Sequence, residues 1–125
     1  MSFPCPTFHH VSIIVSDLNK ASRIYGDILG LELDVRPDLN FEGLFYKLGH
    51  GQQLHLMKLI NPDAQSKVPA HGGRYRHIAL QVENLEEMTH KLTEAGITTT
   101  LSKSGRAAVF FYDDDDNAIE LIQVN

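Results

Sequence analysis

Four side chains of the types that bind divalent metal ions occupy equivalent positions in the two halves of the chain. His77 follows His10 by 67 residues, and Glu120 follows His55 by 65 residues. Taken alone, a histidine or glutamate in a strand is more often solvated or part of a satisfied core than a ligand. Together, three neutral imidazoles and one carboxylate suit a divalent cation and would leave open positions for water or substrate oxygens. We therefore expect these four residues to share one metal ion.

The sequence around His10 and His77 is repeated. Segment 8–18 aligns with segment 75–85, so that the two histidines coincide. In both segments strongly apolar residues occupy every second position, which is the period of a strand with one buried face. The histidines fall on the opposite face. The repeat predicts two similar modules, each with a ligand-type residue in its first strand.

Each repeated strand is followed by the signals that begin and end a helix. Asp17 and Asn84 are suited to cap the helix N-termini, and Glu87 completes a capping box with Asn84. Apolar residues then recur at spacings of three and four, and Gly30 and Gly96 stand where a left-handed C-terminal cap is wanted. Both helices are therefore expected to pack on the apolar face of their sheet.

The rest of each half has strand-like composition, which gives the plan βαβββ twice. The predicted strands cover residues 31–36, 41–48 and 52–60, then 97–102, 106–112 and 118–124. We predict an α+β fold of two tandem βαβββ modules that form concave mixed sheets. The first module is placed at 1–60, the linker at 61–74 and the second module at 75–125, together making one compact domain. His55 and Glu120 then lie in the last strand of each module, on the face that the helices leave open.

Composition and charge exclude several classes of partner. The net charge is -5 and Lys and Arg are not clustered, so neither nucleic acid nor an anionic membrane surface is an expected partner. Apolar runs are too short to cross a bilayer, and the first residues lack the features of a signal peptide. We expect a cytoplasmic protein. A single cysteine, Cys5, cannot form an intramolecular disulfide.

Several short motifs occur together along nearly the whole chain. They are His10-Val11-Ser12, Val15-Ser16-Asp17-Leu18, Ala21 with Tyr25, Ile28-Leu29-Gly30-Leu31, His77-Ile78-Ala79-Leu80 and Asn117-Ala118-Ile119-Glu120-Leu121. Each fragment is weak alone, but in combination they resemble the vicinal oxygen chelate superfamily. That superfamily includes glyoxalase I, extradiol dioxygenases, fosfomycin-modifying enzymes and bleomycin-resistance proteins.

The resemblance implies a metal site and an assembly. The family's metal ligands match His10, His77 and Glu120, and His55 aligns where glyoxalase I carries a carboxylate. The resemblance also implies a homodimer in which each site combines His10 and His55 of one protomer with His77 and Glu120 of the other. Pairing of all four within one chain stays open, because the linker is long enough for either arrangement.

The resemblance also implies the chemistry. One divalent ion per site, Ni, Zn, Co, Mn or Fe, would chelate a small substrate with adjacent oxygens and stabilise an enediolate formed by proton abstraction. The favoured function is a glyoxalase I-like lyase or isomerase, a carbon-sulfur lyase, with Glu120 and His55 as catalytic residues and glutathione as a candidate co-substrate. One alternative is an extradiol-type non-haem iron dioxygenase, which would use His10, His77 and Glu120. A second alternative is a non-catalytic drug-binding module of the bleomycin-resistance type.

Fosfomycin modification ranks lower, because the phosphonate-binding and potassium-loop residues of those enzymes are not recognisable in the sequence.

Other residues have weaker claims to function. Arg36, Phe45 and Met57 are candidate substrate-binding residues, Arg36 as an anchor for an anionic group. Arg74 and Arg76 are further candidates for that anchor, although surface arginines are usually only solvated. The remaining histidines, namely His9, His50, His71 and His90, match no ligand position. The four aspartates at 113–116 are interpreted as a solvated hairpin turn rather than a calcium site.

Overall fold

Two four-stranded sheets make up the fold of this protein, whose computed structural model describes residues 5–124. The first four residues, which bear on the expectation that no signal peptide is present, lie outside that range. The first half contains β1 (His10–Val15), α1 (Leu18–Ser22), β2 (Leu33–Asp34), β3 (Gly43–Lys47) and β4 (Gln53–Lys58). The second half contains β5 (His77–Val82), α2 (Leu85–Glu94), β6 (Thr100–Leu101), β7 (Ala108–Tyr112) and β8 (Ala118–Gln123). Each half is therefore a βαβββ unit.

The two sheets have the same topology. Their strand orders are β1-β4-β3-β2 and β5-β8-β7-β6. In each sheet the first and last strands of the unit are parallel neighbours, and the other pairs are antiparallel. The predicted α+β fold of two βαβββ modules with mixed sheets is confirmed. The edge strands β2 and β6 are shorter than predicted and begin later, because the Leu31 and Ile97 N–H groups donate to carbonyls of the preceding helical segments, at Tyr25 and Leu92.

The burial pattern places one apolar face of each sheet in a common core. Leu54 and Leu56 of β4 are fully buried, as are Ile119 and Leu121 of β8. Residues from both sheets and both helices belong to one hydrophobic cluster. Along β1 and β4, alternate side chains therefore lie on the core face and on the opposite face, as predicted. His10 and His55 point away from this core.

The helix caps follow the sequence signals. The Asp17 side chain accepts a hydrogen bond from the Lys20 backbone N–H, and Asn84 accepts one from the Glu87 N–H, both at 3.0 Å. The Glu87 carboxylate accepts from the Asn84 side-chain amide at 2.9 Å rather than from its backbone N–H. Gly30 and Gly96 have φ of 73° and 81°, the left-handed conformation that a C-terminal cap requires.

The first helix departs from the predicted regular form. After Ser22 it continues as a π-helical segment, Arg23–Ile28, in which the Leu29 N–H donates to the Ile24 carbonyl at 2.9 Å. The wider turn is stabilised by packing, since Ile24 and Tyr25 are buried in the core. Apolar spacing alone does not distinguish such a segment from an α-helix.

Tyr25 joins the two modules through the turn between β7 and β8. Its hydroxyl donates to Asp113 Oδ2 at 2.7 Å, and the Asn117 side-chain amide donates to both Asp113 and the Ile14 carbonyl. Burial raises the pKa of Asp113, while the hydrogen bonds from Asn117 and Tyr25 oppose that rise. The prediction of a solvated turn is wrong for Asp113, which is 6% exposed. Its carboxylate is buried because it is the acceptor that joins the modules.

Across residues 5–124, neither helix combines the length and the apolar character needed to cross a bilayer.

Candidate metal centre

The first pair of predicted ligands lies on neighbouring parallel strands. His10 begins β1, and His55 lies on β4 beside Ser12, its register partner. The two imidazole rings stack, with centroids 4.1 Å apart and planes inclined by 13°. His9 lies next to His10, with their Nδ1 atoms 2.9 Å apart. The sheet therefore brings His10 and His55 together as predicted.

The second pair lies on the equivalent strands of the other sheet. His77 begins β5, and Glu120 lies on β8 with Ala79 as its register partner. His77 Nε2 is 3.3 Å from Glu120 Oε1. His77 Nδ1 is 2.8 Å from the Tyr75 carbonyl, an oxygen that only accepts, so Nδ1 carries the proton. Nε2 is therefore the ring nitrogen that faces the carboxylate.

Glu120 is a buried charge with incomplete hydrogen bonding. Glu120 is 2% exposed, and its Oε2 is buried without a hydrogen-bond partner. The nearest cation to that oxygen is Arg106, whose Nη2 lies 3.6 Å away. A carboxylate oxygen and an imidazole lone pair that face each other repel unless a proton or a metal cation lies between them. His77 Nε2 and the Glu120 carboxylate oxygens are atoms of the kinds that bind a divalent cation.

In the second module, the linker packs on the face that the helices leave open. Its 3₁₀ turn, Gly72–Arg74, packs on Phe110 of β7, which is the register partner of Glu120. A Cβ on Gly72 would lie 3.4 Å from Phe110 Cβ, so glycine allows this close approach. This cover explains the burial of Glu120 on the face that the helices leave open.

His55 is held between two rings. Phe45, its register partner on β3, stacks on it with centroids 3.5 Å apart and planes inclined by 2°, and His10 lies on the other side. Burial lowers the pKa of His55, and the nearby His10, His9 and Arg36 lower it further. The neutral form is the one that binds metal, so both effects favour ligation.

Two of the three candidate substrate-binding residues lie close together. The Arg36 guanidinium donates to the Phe41 carbonyl at 2.8 Å and lies 5.8 Å from the centre of the Phe45 ring. Arg36 Nε is buried without a hydrogen-bond partner. Met57 is the register partner of Gly43, where a Cβ would lie 2.9 Å from Arg36 Nε, and it lines a cleft of about 880 Å³ that also contains His77.

The other arginines differ in their surroundings. Arg76 forms an exposed ion pair with Asp63 at 3.1 Å, which fits the interpretation of a surface residue. Arg74 lines a hollow of about 260 Å³ beside His77 and Glu120. Lys103, Ser104 and Arg106 line the same hollow. The hollow is therefore lined by several cationic side chains, although the protein has a net charge of -5.

Sequence reasoning missed Arg106. A usable signal was present, because Arg106 is an even number of residues before Phe110, and Phe110 lies opposite Glu120. The period of a strand would have placed Arg106 on the face of the second ligand pair.

The two ligand pairs are not joined within the chain. Among residues 5–124, no three or more His, Cys, Asp or Glu side chains are grouped so that they could hold one metal ion. Each pair belongs to a different sheet, and the intramolecular contacts of Asp113 set the arrangement of the two modules. The four-ligand site stays a prediction.

Known proteins resemble this chain over nearly its full length. It is 32% identical to "Glyoxylase I 4" of Arabidopsis thaliana, with 92% of this chain and 69% of that protein covered. It is 30% identical to "Glutathione transferase FosA" of Serratia marcescens, covering 92% of this chain and 79% of that protein. The structure of the fosfomycin resistance protein FosX of Listeria monocytogenes, complexed with Mn(II) and sulfate, superposes with a TM-score of 0.74 at 21% identity. That superposition covers 97% of this chain and 92% of FosX, and it supports the fold.

A family model gives the assignment that these pairwise likenesses suggest. It matches residues 7–121, a range that contains all four candidate ligands and most of both modules. The chain belongs to the Glyoxalase/Bleomycin resistance protein/Dioxygenase superfamily.

Proposed function

We propose that this chain is a metal-dependent enzyme of the glyoxalase type, a lyase or isomerase that acts on a small molecule with two adjacent oxygens. In the proposed homodimer, His10 and His55 of one protomer and His77 and Glu120 of the other hold one divalent ion. Such an ion supplies Lewis-acid stabilisation of negative charge on substrate oxygens. The division into modules at 1–60 and 75–125 with a linker at 61–74 is part of the proposal.

The His77 nitrogen and the Glu120 carboxylate that face each other in the second module carry this proposal. His77 Nε2 and Glu120 Oε1 are 3.3 Å apart, and Glu120 Oε2 has no hydrogen-bond partner. A buried carboxylate with only a structural role would be expected to have hydrogen-bond partners at both oxygens, because an unpaired buried charge destabilises the fold. A ligand role explains why an imidazole nitrogen and a carboxylate are directed at the same space.

The proposed roles of the protein groups follow from their positions. Glu120 Oε2, which accepts no hydrogen bond, would take a proton from the carbon beside a substrate carbonyl and return it to the neighbouring carbon. His55 orients the substrate's second oxygen or shares in that proton transfer. Arg36, Phe45 and Met57 bind the substrate, with glutathione as a candidate co-substrate.

A complementation experiment tests the shared site. One variant carries His10→Ala and His55→Ala, and a second carries His77→Ala and Glu120→Ala. Each homodimer has only half-sites, whereas a mixed dimer has one site with all four ligands if sites are shared between protomers. We expect unfolding and refolding of the mixture to restore metal binding measured by calorimetry. Equal binding before and after mixing would contradict the shared site.

An activity panel tests the reaction. Protein loaded with nickel, cobalt, manganese or zinc should convert methylglyoxal plus glutathione, and Glu120→Gln should abolish that activity. Failure with all four metals would remove the glyoxalase version of the proposal. Oxygen consumption with catechols only in the ferrous form would favour the dioxygenase alternative instead.

A second candidate function is modification of a substrate that bears an anionic oxygen group, such as fosfomycin. The hollow lined by Lys103, Ser104 and Arg106 next to Glu120 favours it, because cationic and hydroxyl groups together bind phosphonate-type oxygens. Incubation of manganese-loaded protein with fosfomycin, with and without a thiol, distinguishes the two candidates. Opening of the epoxide would favour fosfomycin modification, and an unchanged epoxide would leave the glyoxalase reaction in first place.

A further inference from the structure

A row of three side chains, two polar and one aromatic, crosses the first sheet on the face that carries His10 and His55. Asp34 lies opposite Phe45, and Phe45 lies opposite His55, so these three share one row across β2, β3 and β4. Gln53, two residues before His55, points to the same face from the next row. Its amide is therefore placed between the Asp34 carboxylate and the His55 ring.

The hydrogen bonds of Gln53 fix its direction. Gln53 Nε2 donates to Asp34 Oδ2 at 2.8 Å, and Asp34 Oδ1 accepts the Val35 N–H at 2.8 Å. The Gln53 and Val35 hydrogen bonds lower the pKa of Asp34, which keeps this carboxylate an acceptor. The amide nitrogen must therefore face Asp34, and the amide oxygen must face the other way.

The direction of that amide determines the tautomer of His55. Gln53 Oε1 lies 2.8 Å from His55 Nε2, and a carbonyl oxygen can only accept. His55 Nε2 therefore carries the proton and donates it to Gln53. In the neutral ring, the remaining lone pair lies on Nδ1.

We propose that Gln53, oriented by Asp34, is a positioning residue that makes His55 present Nδ1 to the metal, whereas His77 presents Nε2. This inference rests on the proposed function, in which both histidines are ligands. His77 is fixed in the opposite sense because its Nδ1–H donates to the Tyr75 carbonyl. A hydrogen bond to the far nitrogen of a ligating histidine sets ring orientation and increases its basicity.

The stacking contacts hold the His55 ring in this orientation. Phe45 and His10 lie on its two faces, at centroid distances of 3.5 and 4.1 Å. Arg36 lies on Phe45 at 5.8 Å and supports that ring in turn. A half-turn of the imidazole about its Cβ–Cγ bond would keep the stacking and break the bond to Gln53. The hydrogen bond is therefore the contact that selects between the two orientations.

The first experiment measures the tautomer in metal-free protein. Nitrogen-15 NMR of the histidine side chains, with His55 assigned by its absence in His55→Ala, should show the proton on Nε2 for His55 and on Nδ1 for His77. A His55 ring with its proton on Nδ1 would overturn the proposal, whatever the protein's reaction.

The second experiment measures metal affinity by titration with Co²⁺. Gln53→Leu removes the acceptor and should weaken binding by about 10–100-fold. The double variant Asp34→Asn with Gln53→Glu exchanges the amide and the carboxylate, so that position 53 still accepts from His55, and it should recover most of the lost affinity. Gln81→Leu changes an exposed glutamine on β5 and should bind as the wild type does.

The outcomes separate this inference from the proposed function. If His55→Ala weakens Co²⁺ binding but Gln53→Leu does not, Gln53 has no positioning role and the ligand set stands. If His55→Ala binds Co²⁺ as the wild type does, His55 is not a ligand, and both proposals fail for that residue. A destabilised variant is recognised by its urea unfolding curve. In that case, the Co²⁺ affinity of the double variant Asp34→Asn with Gln53→Glu decides whether Gln53 has a positioning role.

Discussion

Glu120 is buried at a cost to the stability of the metal-free protein. One of its oxygens has no hydrogen-bond partner, and its residue is 2% exposed. Burying a carboxylate without complete hydrogen bonding costs free energy, and its cationic neighbour Arg106 is exposed, so removing the charge leaves no buried cation unpaired. Glu120→Gln should therefore leave the free energy of unfolding of metal-free protein unchanged or higher.

The same variant should lose the stabilisation that metal provides. Binding at 100 times the Kd adds about 2.7 kcal/mol to the free energy of unfolding, and Glu120→Gln should gain much less. Urea unfolding with and without Mn²⁺ measures both effects, with Glu32→Gln as an exposed control. A less stable metal-free Glu120→Gln protein would mean that the carboxylate has a structural role.

Gly43 shows how closely the first sheet is packed around Arg36. A Cβ at this position would lie 2.4 Å from the Leu56 carbonyl oxygen and 2.9 Å from Arg36 Nε. Gly43→Ala should therefore destabilise the fold by about 1–3 kcal/mol through overpacking. Gly49→Ala is the matched control, because its Cβ would meet nothing within 4 Å. Equal urea midpoints for the two variants would contradict this account of the packing at Gly43.

At the scale of elements, the π-helical segment connects the first module to the second through Tyr25. Tyr25→Phe removes a donor to the buried Asp113 carboxylate and should cost about 1.5–3 kcal/mol, as expected for a hydrogen bond to a charged group. Tyr46→Phe is a suitable control, since Tyr46 is also buried but donates no side-chain hydrogen bond among those of residues 5–124. Urea unfolding of both variants measures the difference.

The cost of Tyr25→Phe should depend on pH. Burial raises the pKa of Asp113 above 3.8, so its contribution to stability is present below that value and is lost as pH rises through the higher folded pKa. The bond from Tyr25 opposes this loss, because a hydrogen bond to the ionised form is about twice as strong as one to a neutral group. The destabilisation should therefore be larger at about pH 7 than at about pH 4. An equal cost at both pH values would mean that Asp113 does not change its protonation state.

The sequence predicted the elements better than their ends and their partners. Asp17 and Asn84 act through short-range hydrogen bonds, so their caps were readable from neighbouring residues. The burial of Asp113 depends on Tyr25, which is 88 residues away in the chain. Such a contact leaves no local pattern, and the acidic turn therefore looked solvated.

In the candidate site, the pairing of the ligand residues was predictable, but the contacts around them were not. His10 with His55, and His77 with Glu120, could be paired because strand period and repeat position fix which face each residue takes. The cover over Glu120 was not predictable, because it depends on how the linker turn packs against Phe110. Tautomers of His55 and His77 depend on single hydrogen bonds and likewise required coordinates.

At the scale of the whole molecule, the arrangement of the modules decides where a complete site can form. Tyr25, Asp113 and Asn117 join the modules within the chain, and the two ligand pairs lie on different sheets. Among residues 5–124, no group of three or more ligand-type side chains forms within one copy. The proposed shared site would take its other pair of ligands from a second copy.

A site completed by a second copy couples metal binding to dimerisation. If the ion binds the dimer more tightly than the monomer, it must strengthen dimerisation by the same factor, because linkage is reciprocal. Sedimentation velocity over a range of protein concentrations should therefore show a lower dimer dissociation constant with Mn²⁺ than with EDTA. Glu120→Gln should dimerise as the metal-free wild type does and should not respond to Mn²⁺. A wild-type dimer constant that is equal with Mn²⁺ and with EDTA, despite measured metal binding, would place the ion within one copy and contradict the shared site.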